Sequence, residues 1–448
     1  MRRFLTSLLL ISSQFASAQE ISLRDAVKQA SERYPSVQVS LDQVTEAAAG
    51  INLARLAYLP RAEMLGQINR ATANNVFGLL LPQTVVSPIS GPLVAGDKFR
   101  NVWGTAVGLM VSWEPIDFGR RQAEVESAVA TKRRTEAGVA RTQLQVAAAT
   151  ADAYLTALAA SQTISAAKAG VTRATELARI TEALVRSELR PGADLARLQS
   201  ETILARGQVI RAQEALAAAQ ATLQQLTGNP CTPTPTPFAA LPLAPPEEGV
   251  SASHPIIREQ QAAIDESKAR QTVLDKSWYP RLSTQANVFG RGSGTNLEGP
   301  FPGGTSGVAP NVGNWALGAT ITFPLLEYKT LRARKQVEQQ RERQESSRRQ
   351  LLERELAGAL ARARAAVTGA REIAALAPQQ VTAWQQTLQQ ATARYRAGLG
   401  NIAEVAEAQR LLTQAESDNA LAVLNVWRAE LSLAATQGDL EPFLSKVP

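Results

Sequence analysis

The sequence predicts a mainly α-helical fold with two copies of a long helical hairpin and a pair of β-strands in each copy. Three observations support this prediction: a heptad pattern, an alternating strand pattern and a set of helix-starting prolines, each of which occurs twice. Pro35 and Pro255 lie 220 positions apart and each is expected to begin a helix, because proline is tolerated in a first turn. The expected short helices are residues 23–34, 35–58 and 255–278.

The heptad pattern lies in the second half of each copy, where apolar and small residues recur at alternating steps of three and four. Such a seam is typical of a helix packed along its length on another helix. The first seam is Leu195, Leu198, Thr202, Ala205, Val209, Ala212, Leu216, Ala219, Leu223 and Leu226. The second seam, 210 positions later, is Val405, Ala408, Leu412, Ala415, Asn419, Ala422, Val426, Ala429, Leu433 and Thr436. The repeated register indicates a tandem duplication.

The alternating pattern has a period of two and predicts one strong β-strand per copy. In the first copy the bulky positions are Trp103, Val107, Leu109, Val111 and Trp113, and the residues between them are mostly small. In the second copy they are Trp315, Leu317, Ala319, Ile321 and Phe323. A weaker strand is expected before each strong one, near residues 61–73 and 281–291.

Two interpretations fit these strands, a transmembrane β-sheet with its bulky side in lipid and a soluble sandwich. Predicted export and the lack of a membrane-spanning helix favour the transmembrane sheet. Four strands cannot close a barrel, so spanning strands require an oligomer that shares one barrel. Arginine at Leu109 or Ile321 should then impair assembly, whereas small polar changes at Gly108 or Thr320 should be milder.

A long helix is predicted after each strong strand, over residues 119–187 and 329–397. Pro378 is expected to interrupt and kink the second one, because proline lacks the N–H that continues a helix. Tight turns follow at residues 189–194 and 398–404, and the seam helices then run back.

The chain is expected to divide into five parts. Arg2 and Arg3, an apolar stretch and the small residues Ala16 and Ala18 are typical of a secretory signal peptide. No apolar run of about 18 residues follows it, so no membrane-spanning helix is expected. The parts are a signal peptide (1–18), a first repeat (19–227), a proline-rich linker (228–250), a second repeat (251–438) and a tail (439–448).

Composition and motifs give no indication of an enzyme, a metal site or a cofactor. The formal charge is +7, but the basic residues alternate with glutamate and no aromatic residues interleave with them, which disfavours nucleic-acid binding. The single histidine, His254, precedes Pro255 and is interpreted as a helix cap rather than a ligand or catalytic base.

The order of these elements, repeated twice, resembles the TolC family of outer-membrane efflux proteins. The most specific segment runs Tyr395-Arg396-Ala397-Gly398-Leu399-Gly400-Asn401-Ile402-Ala403-Glu404-Val405. The resemblance implies a homotrimer in the outer membrane of a Gram-negative type cell. Three chains would contribute four strands each to one 12-stranded barrel in outer-membrane lipid, and their duplicated hairpins would form a periplasmic α-barrel.

The resemblance also implies site residues at the hairpin tips. Leu189, Asp194, Gly398 and Leu399 match positions that contact a periplasmic adaptor (membrane fusion) protein, itself joined to an inner-membrane transporter. Glu404 and Glu407 match an acidic gate or constriction, where a threefold ring would attract cations.

An alternative for these glutamates stays open, in which Glu404 favours the helix N-terminus and Glu407 is merely solvated. Some members of the family carry a basic tip residue that ties the closed gate, and its matched position here is Gly400. The charge ring is therefore expected to be less neutralised in this chain.

The predicted function is a passive export duct of a tripartite efflux or type I secretion system, opened at its periplasmic tips by the adaptor and pump. The alternative is a soluble periplasmic coiled-coil adaptor or scaffold with the strands in a small sandwich.

Overall fold

The structure, a computed structural model, describes residues 19–72, 101–234, 253–294 and 303–447. The predicted signal peptide and most of the predicted linker lie outside these ranges. Within them, the helices are α1 (Leu23–Arg33), α2 (Pro35–Leu56), α3 (Arg120–Arg186), α4 (Gly192–Thr227), α5 (Pro255–Lys276), α6 (Tyr328–Arg396), α7 (Ile402–Gln437) and α8 (Glu441–Leu444). The bounds of α1–α7 lie within five residues of those predicted. Among the described residues, no helix combines the length and apolar character that a membrane crossing would need.

The strands form two sheets. They are β1 (Gln19–Ile21), β2 (Arg61–Thr72), β3 (Asn101–Ile116), β4 (Cys231–Pro233), β5 (Arg281–Ser293) and β6 (Val312–Thr322). β1 pairs with β4 in parallel, so this part of the predicted linker is extended. The other strands form an antiparallel sheet in the order β2-β3-β5-β6. At one end of the strands each strand is joined to a helix. At the opposite end β2 is connected to β3, and β5 to β6.

The chain forms two compact units. The sheet unit comprises the described parts of Thr45–Arg133 and Ala263–Glu345, and it contains the four-stranded sheet. The helical unit comprises the described parts of Met1–Val44, Arg134–Ala262 and Ser346–Pro448.

Both heptad seams are confirmed. The seam positions of α4 and α7 are all buried or partly buried, and none is exposed. Small residues at many of these positions allow close helix contacts, as the duplicated pattern predicted. α7 is the more enclosed of the two, because 16 of its residues are buried whereas α4 has five.

The largest core cluster of the helical unit joins α1, α3, α4, α7 and α8. Trp427 packs edge-on against Phe443, with ring centroids 5.8 Å apart. The Tyr154 hydroxyl donates to the Ile21 carbonyl oxygen at 3.1 Å and so fastens β1 to α3. Burial of such aromatic side chains contributes on the order of 3–5 kcal/mol each, which makes this cluster a main source of stability.

Two sequence expectations about single residues have different outcomes. His254 is buried, and its Nδ1 accepts a hydrogen bond from the Ile256 N–H at 3.2 Å, which confirms the predicted cap of α5. The predicted interruption at Pro378 is wrong, because α6 continues through it without a break. The loss of one backbone donor costs a helix about 3 kcal/mol, an amount that the other hydrogen bonds of a 69-residue helix can offset.

Candidate membrane-facing sheet and hairpin tips

The register of the four-stranded sheet places the bulky positions of all four strands on one face. Met64 pairs with Leu109, Leu109 with Val288, and Val288 with Trp315, so one apolar row crosses the whole sheet. We call this side of the sheet the apolar face. It carries the predicted lipid-facing residues Trp103, Val107, Leu109, Val111, Trp113, Trp315, Leu317 and Ile321. Phe323 follows the end of β6 and is exposed.

The apolar face is open to its surroundings in the single chain. The exposed fractions of Met64, Leu109 and Trp315 are 82%, 52% and 78%. Exposure of such side chains to water is unfavourable, so a continuous row of them is typical of a surface that contacts lipid or another protein. Their lipid contact stays a prediction.

Trp103 and Trp113 lie on the same strand and the same face, ten residues apart. At about 3.3 Å per residue this separation is about 33 Å along the strand. A strand tilted by 35–45° would cover about 25 Å of membrane thickness, which equals the height of the apolar band between aromatic girdles.

The opposite face of the sheet is the more polar one. Its rows pair Glu63 with Met110 and Met110 with Asn287, and pair Arg61 with Ser112 and Ser112 with Gln285. Leu65, Gly108 and Phe289 form a neighbouring row on the same face, so this face is more polar than the apolar face without being polar in every row. This arrangement is typical of a membrane sheet that has lipid on one side and a polar lumen on the other.

The surroundings of Gly108 speak against the expected mild effect of a change at this position. A Cβ atom at this position would lie 2.4 Å from Phe289 Cβ and 2.7 Å from the Val288 carbonyl oxygen. The backbone of the neighbouring strand supplies some of these contacts, so it cannot move away like a flexible side chain. Thr320, which is exposed on β6, remains the suitable site for a mild change.

The junction between the sheet and α3 is tightly connected. The Trp113 Nε1–H donates to the Tyr58 carbonyl oxygen at 3.0 Å. Arg121 lies 4.7 Å above the Tyr58 ring and pairs with Asp117 at 2.9 Å, and both charged side chains are buried. Sequence reasoning missed this pair, although an Asp and an Arg four positions apart are a local signal that could have found it.

The two predicted turns differ slightly from expectation in their bounds. The first connects α3 to α4 over residues 187–191, so Asp194 lies in the first helical turn of α4 rather than in the loop. The second connects α6 to α7, with Gly398 at a φ of 79° that favours glycine. Leu189 and Leu399 project from the turns with exposed fractions of 70% and 74%.

A cluster of polar contacts ties the two turns together. The buried Tyr395 hydroxyl donates to Asp194 Oδ2 at 3.0 Å. Arg190 stacks 4.3 Å above the Tyr395 ring and donates to the Tyr395 carbonyl oxygen. Burial raises the pKa of Tyr395, and the neighbouring Asp194 raises it further, so the hydroxyl keeps its proton. Of the three residues in this polar cluster, the sequence analysis had named only Asp194 as a site residue.

An apolar cluster lies beneath this tie. Leu177, Leu198, Ile402 and Val405 pack with Tyr395, so all four long helices contribute to it. The turns are therefore held by apolar contacts as well as by the Tyr395–Asp194 hydrogen bond.

Glu404 and Glu407 are both exposed at the start of α7. Asn401 caps this helix, because its Oδ1 accepts from the N–H groups of Ala403 at 2.6 Å and Glu404 at 3.2 Å. Glu404 and Glu407 are three positions apart, which places both carboxylates on one side of the helix. A single chain contributes one such pair, and a threefold ring stays a prediction.

Glu407 has a basic partner in the single chain, and the expected weaker neutralisation of a threefold ring stays a prediction. Arg410 binds both oxygens of the Glu407 carboxylate, at 2.6 and 3.1 Å. These hydrogen bonds lower the pKa of Glu407, and the charge of Arg197 on α4 lowers it further. The basic partner thus comes from the same helix rather than from position 400, and an acid and an arginine three positions apart are a local signal for it.

Comparison with known proteins gives one family match and several similar solved structures. The family model described as outer membrane efflux protein matches residues 26–229 and 250–439. The outer-membrane channel OprN is 19% identical with a TM-score of 0.73, and the match covers 93% of this chain and 89% of OprN.

Two further solved structures are similar. The CmeC outer membrane channel of Campylobacter jejuni is 17% identical with a TM-score of 0.75, over 93% of this chain and 85% of CmeC. The open state of the MtrE outer membrane channel of Neisseria gonorrhoeae is 21% identical with a TM-score of 0.69, over 93% and 89%. No curated protein sequence is similar enough to the chain to count as a match.

Proposed function

Because the chain belongs to the outer membrane efflux protein family, we propose that three copies of it form a passive export duct of a tripartite system. The family locates such a protein in the outer membrane, with its helical part in the periplasm. The duct carries out no reaction of its own, and a partner pump supplies the energy for transport.

The two open edges of the four-stranded sheet are the observation that supports this proposal most strongly. Within the described residues, β2 and β6 each pair with a neighbour along only one side. Unpaired backbone groups are very costly in lipid, so the sheet needs partner strands to close. Three chains with four strands each give the 12-stranded barrel that we propose.

The alternative, a soluble periplasmic adaptor or scaffold, is not favoured. A soluble sandwich would bury the apolar face against a second sheet, but the described residues provide no second sheet of comparable size. The row Met64–Leu109–Val288–Trp315 would then stay in water.

The hairpin tips are the proposed contact with a periplasmic adaptor protein and, through it, an inner-membrane transporter. Leu189 and Leu399 are large apolar side chains that project into solvent at the turns. Docking of an adaptor would remove both from water and gain roughly 1.5–3 kcal/mol for each fully buried leucine.

The oligomeric state tests the proposal directly. Protein extracted from outer membranes with a mild detergent should sediment as a trimer, because only shared strands satisfy both sheet edges. Sedimentation equilibrium measures the mass and circular dichroism measures the strand content. A monomer that keeps its strand content in the same detergent would contradict the shared barrel.

Removal of the Tyr395 hydroxyl should loosen the resting tips. Tyr395→Phe deletes the hydrogen bond to Asp194, and a bond to a charged group contributes roughly 1.5–3 kcal/mol. We expect a higher resting conductance in planar bilayers. Tyr154→Phe is the matched control, because it deletes a hydroxyl bond to Ile21 in a different cluster. Equal conductance of both variants and the wild type would show that this bond does not hold the tips.

A further inference from the structure

Arg70 is a single positive charge at the end of an apolar column. It pairs in register with Trp103, so it lies on the apolar face. Ile68 and Met64 follow on the same face of β2 and are exposed. Arg70 lies near the end of the sheet where β2 is connected to β3, opposite the end where the strands join helices.

The guanidinium of Arg70 is held in place but keeps an open side. Its Nε donates to Asn101 Oδ1 at 3.0 Å, and its central carbon lies 5.2 Å from the centroid of the Trp103 ring. In the described part of the chain, its two terminal nitrogens make no hydrogen bond or ion pair. Arginine has five N–H donors in a planar fork that fits phosphate oxygens in pairs. The contacts with Asn101 and Trp103 therefore leave one edge of the fork ready for an anion.

The position of Trp103 defines the depth of this fork in the membrane. Tryptophan side chains concentrate where the hydrocarbon meets the head groups. Trp113 marks the helix-joined end of the same face, so Trp103 marks the outer end. A fork stacked on Trp103 then lies at the level of the outer head groups, directly above side chains suited to acyl chains.

We propose that Arg70 binds a phosphate group of an outer-leaflet lipid. This inference rests on the proposed outer-membrane duct, because it requires the apolar face to contact lipid. A lipid is favoured over free phosphate because Ile68 and Met64 offer apolar contacts to the chains of the same molecule. Arg70 thus sets the vertical position of β2, an edge strand, at the head-group level.

Native mass spectrometry of the detergent-solubilised trimer with added diphosphorylated lipid A tests this proposal. Arg70→Gln should weaken lipid retention about fivefold per site, the effect of one basic residue near a charged membrane surface. Arg70→Lys should keep part of the binding, because it retains the charge but not the fork. Arg61→Gln is the matched control, since Arg61 lies on the same strand but on the polar face and at the other end.

Each outcome decides the matter. Weaker retention with Arg70→Gln and unchanged retention with Arg61→Gln would support the site. Equal retention by Arg70→Gln and the wild type, or an equal loss with Arg61→Gln, would overturn it. Displacement of the lipid by millimolar inorganic phosphate alone would also overturn the choice of a lipid. The mass of the protein itself is read in the same spectrum, so failure of the trimer is distinguished from failure of the lipid site.

Discussion

Arginine in place of Ile321 should reduce the assembly of chains into stable trimers. Ile321 lies on the apolar face of β6, and its side chain is exposed. A charge on the lipid side of a membrane strand costs about 2–4 kcal/mol near the midplane and less toward the head groups. Ile321 pairs with Leu282, beyond the row of Trp113 toward the helix-joined end of the sheet, so the cost in each of the three chains lies toward the head-group end of this range. Heat-resistant trimers on a gel and the yield in the outer-membrane fraction measure the effect.

The adjacent residue provides the control. Thr320 is exposed on the same strand, one position away, and its side chain points to the polar face. Thr320→Arg introduces the same charge and size where a water-filled lumen would hydrate it, so assembly should be close to that of the wild type. If both variants lose trimers equally, the two faces do not meet different environments and the sheet does not span a membrane.

Glutamine in place of Arg410 should make the duct far more sensitive to multivalent cations. Arg410 neutralises Glu407 in the single chain. Its removal in a trimer would leave three additional unpaired carboxylates near Glu404. We expect half-maximal block by a trivalent cation at a concentration on the order of tenfold lower. Planar-bilayer conductance measures the block, and the difference should shrink at high salt, because salt screens exposed charges.

Two other variants make this result specific. Arg179→Gln also breaks an exposed pair between residues three positions apart, with Glu176, but on α3. It should leave the block unchanged. The double variant Glu404→Gln with Glu407→Gln should weaken the block and the cation selectivity. If the double variant has no effect, these glutamates are ordinary solvated residues and the constriction lies elsewhere.

The long elements could be predicted from the sequence because their signals are periodic and local. The heptad positions from Leu195 to Leu226 and from Val405 to Thr436 depend only on helix geometry. The alternation from Trp103 to Trp113 depends only on strand geometry. Duplication adds a check, because each pattern had to occur twice in the same order.

Contacts between distant segments could not be predicted in this way. Arg190 and Tyr395 are 205 positions apart, and their stacking depends on how the two hairpins meet. The closeness of Gly108 to Phe289 depends on the register of β3 and β5, which single-strand patterns do not define. In contrast, the Glu407–Arg410 pair lies within one helical turn and was visible in the sequence.

The two free edges of the sheet also determine how a faulty copy would affect its neighbours. β2 and β6 are different strands, so in the proposed trimer each contact between chains would join unlike edges, and a ring of this kind closes only when every member is sound. A chain with a damaged β6 but an intact β2 can still enter the ring and leave one seam open. In a cell that makes both kinds of chain equally, only about one-eighth of random trimers would contain three intact copies. Edge-strand mutations in this protein should therefore be dominant, whereas mutations that prevent a chain from folding should be recessive.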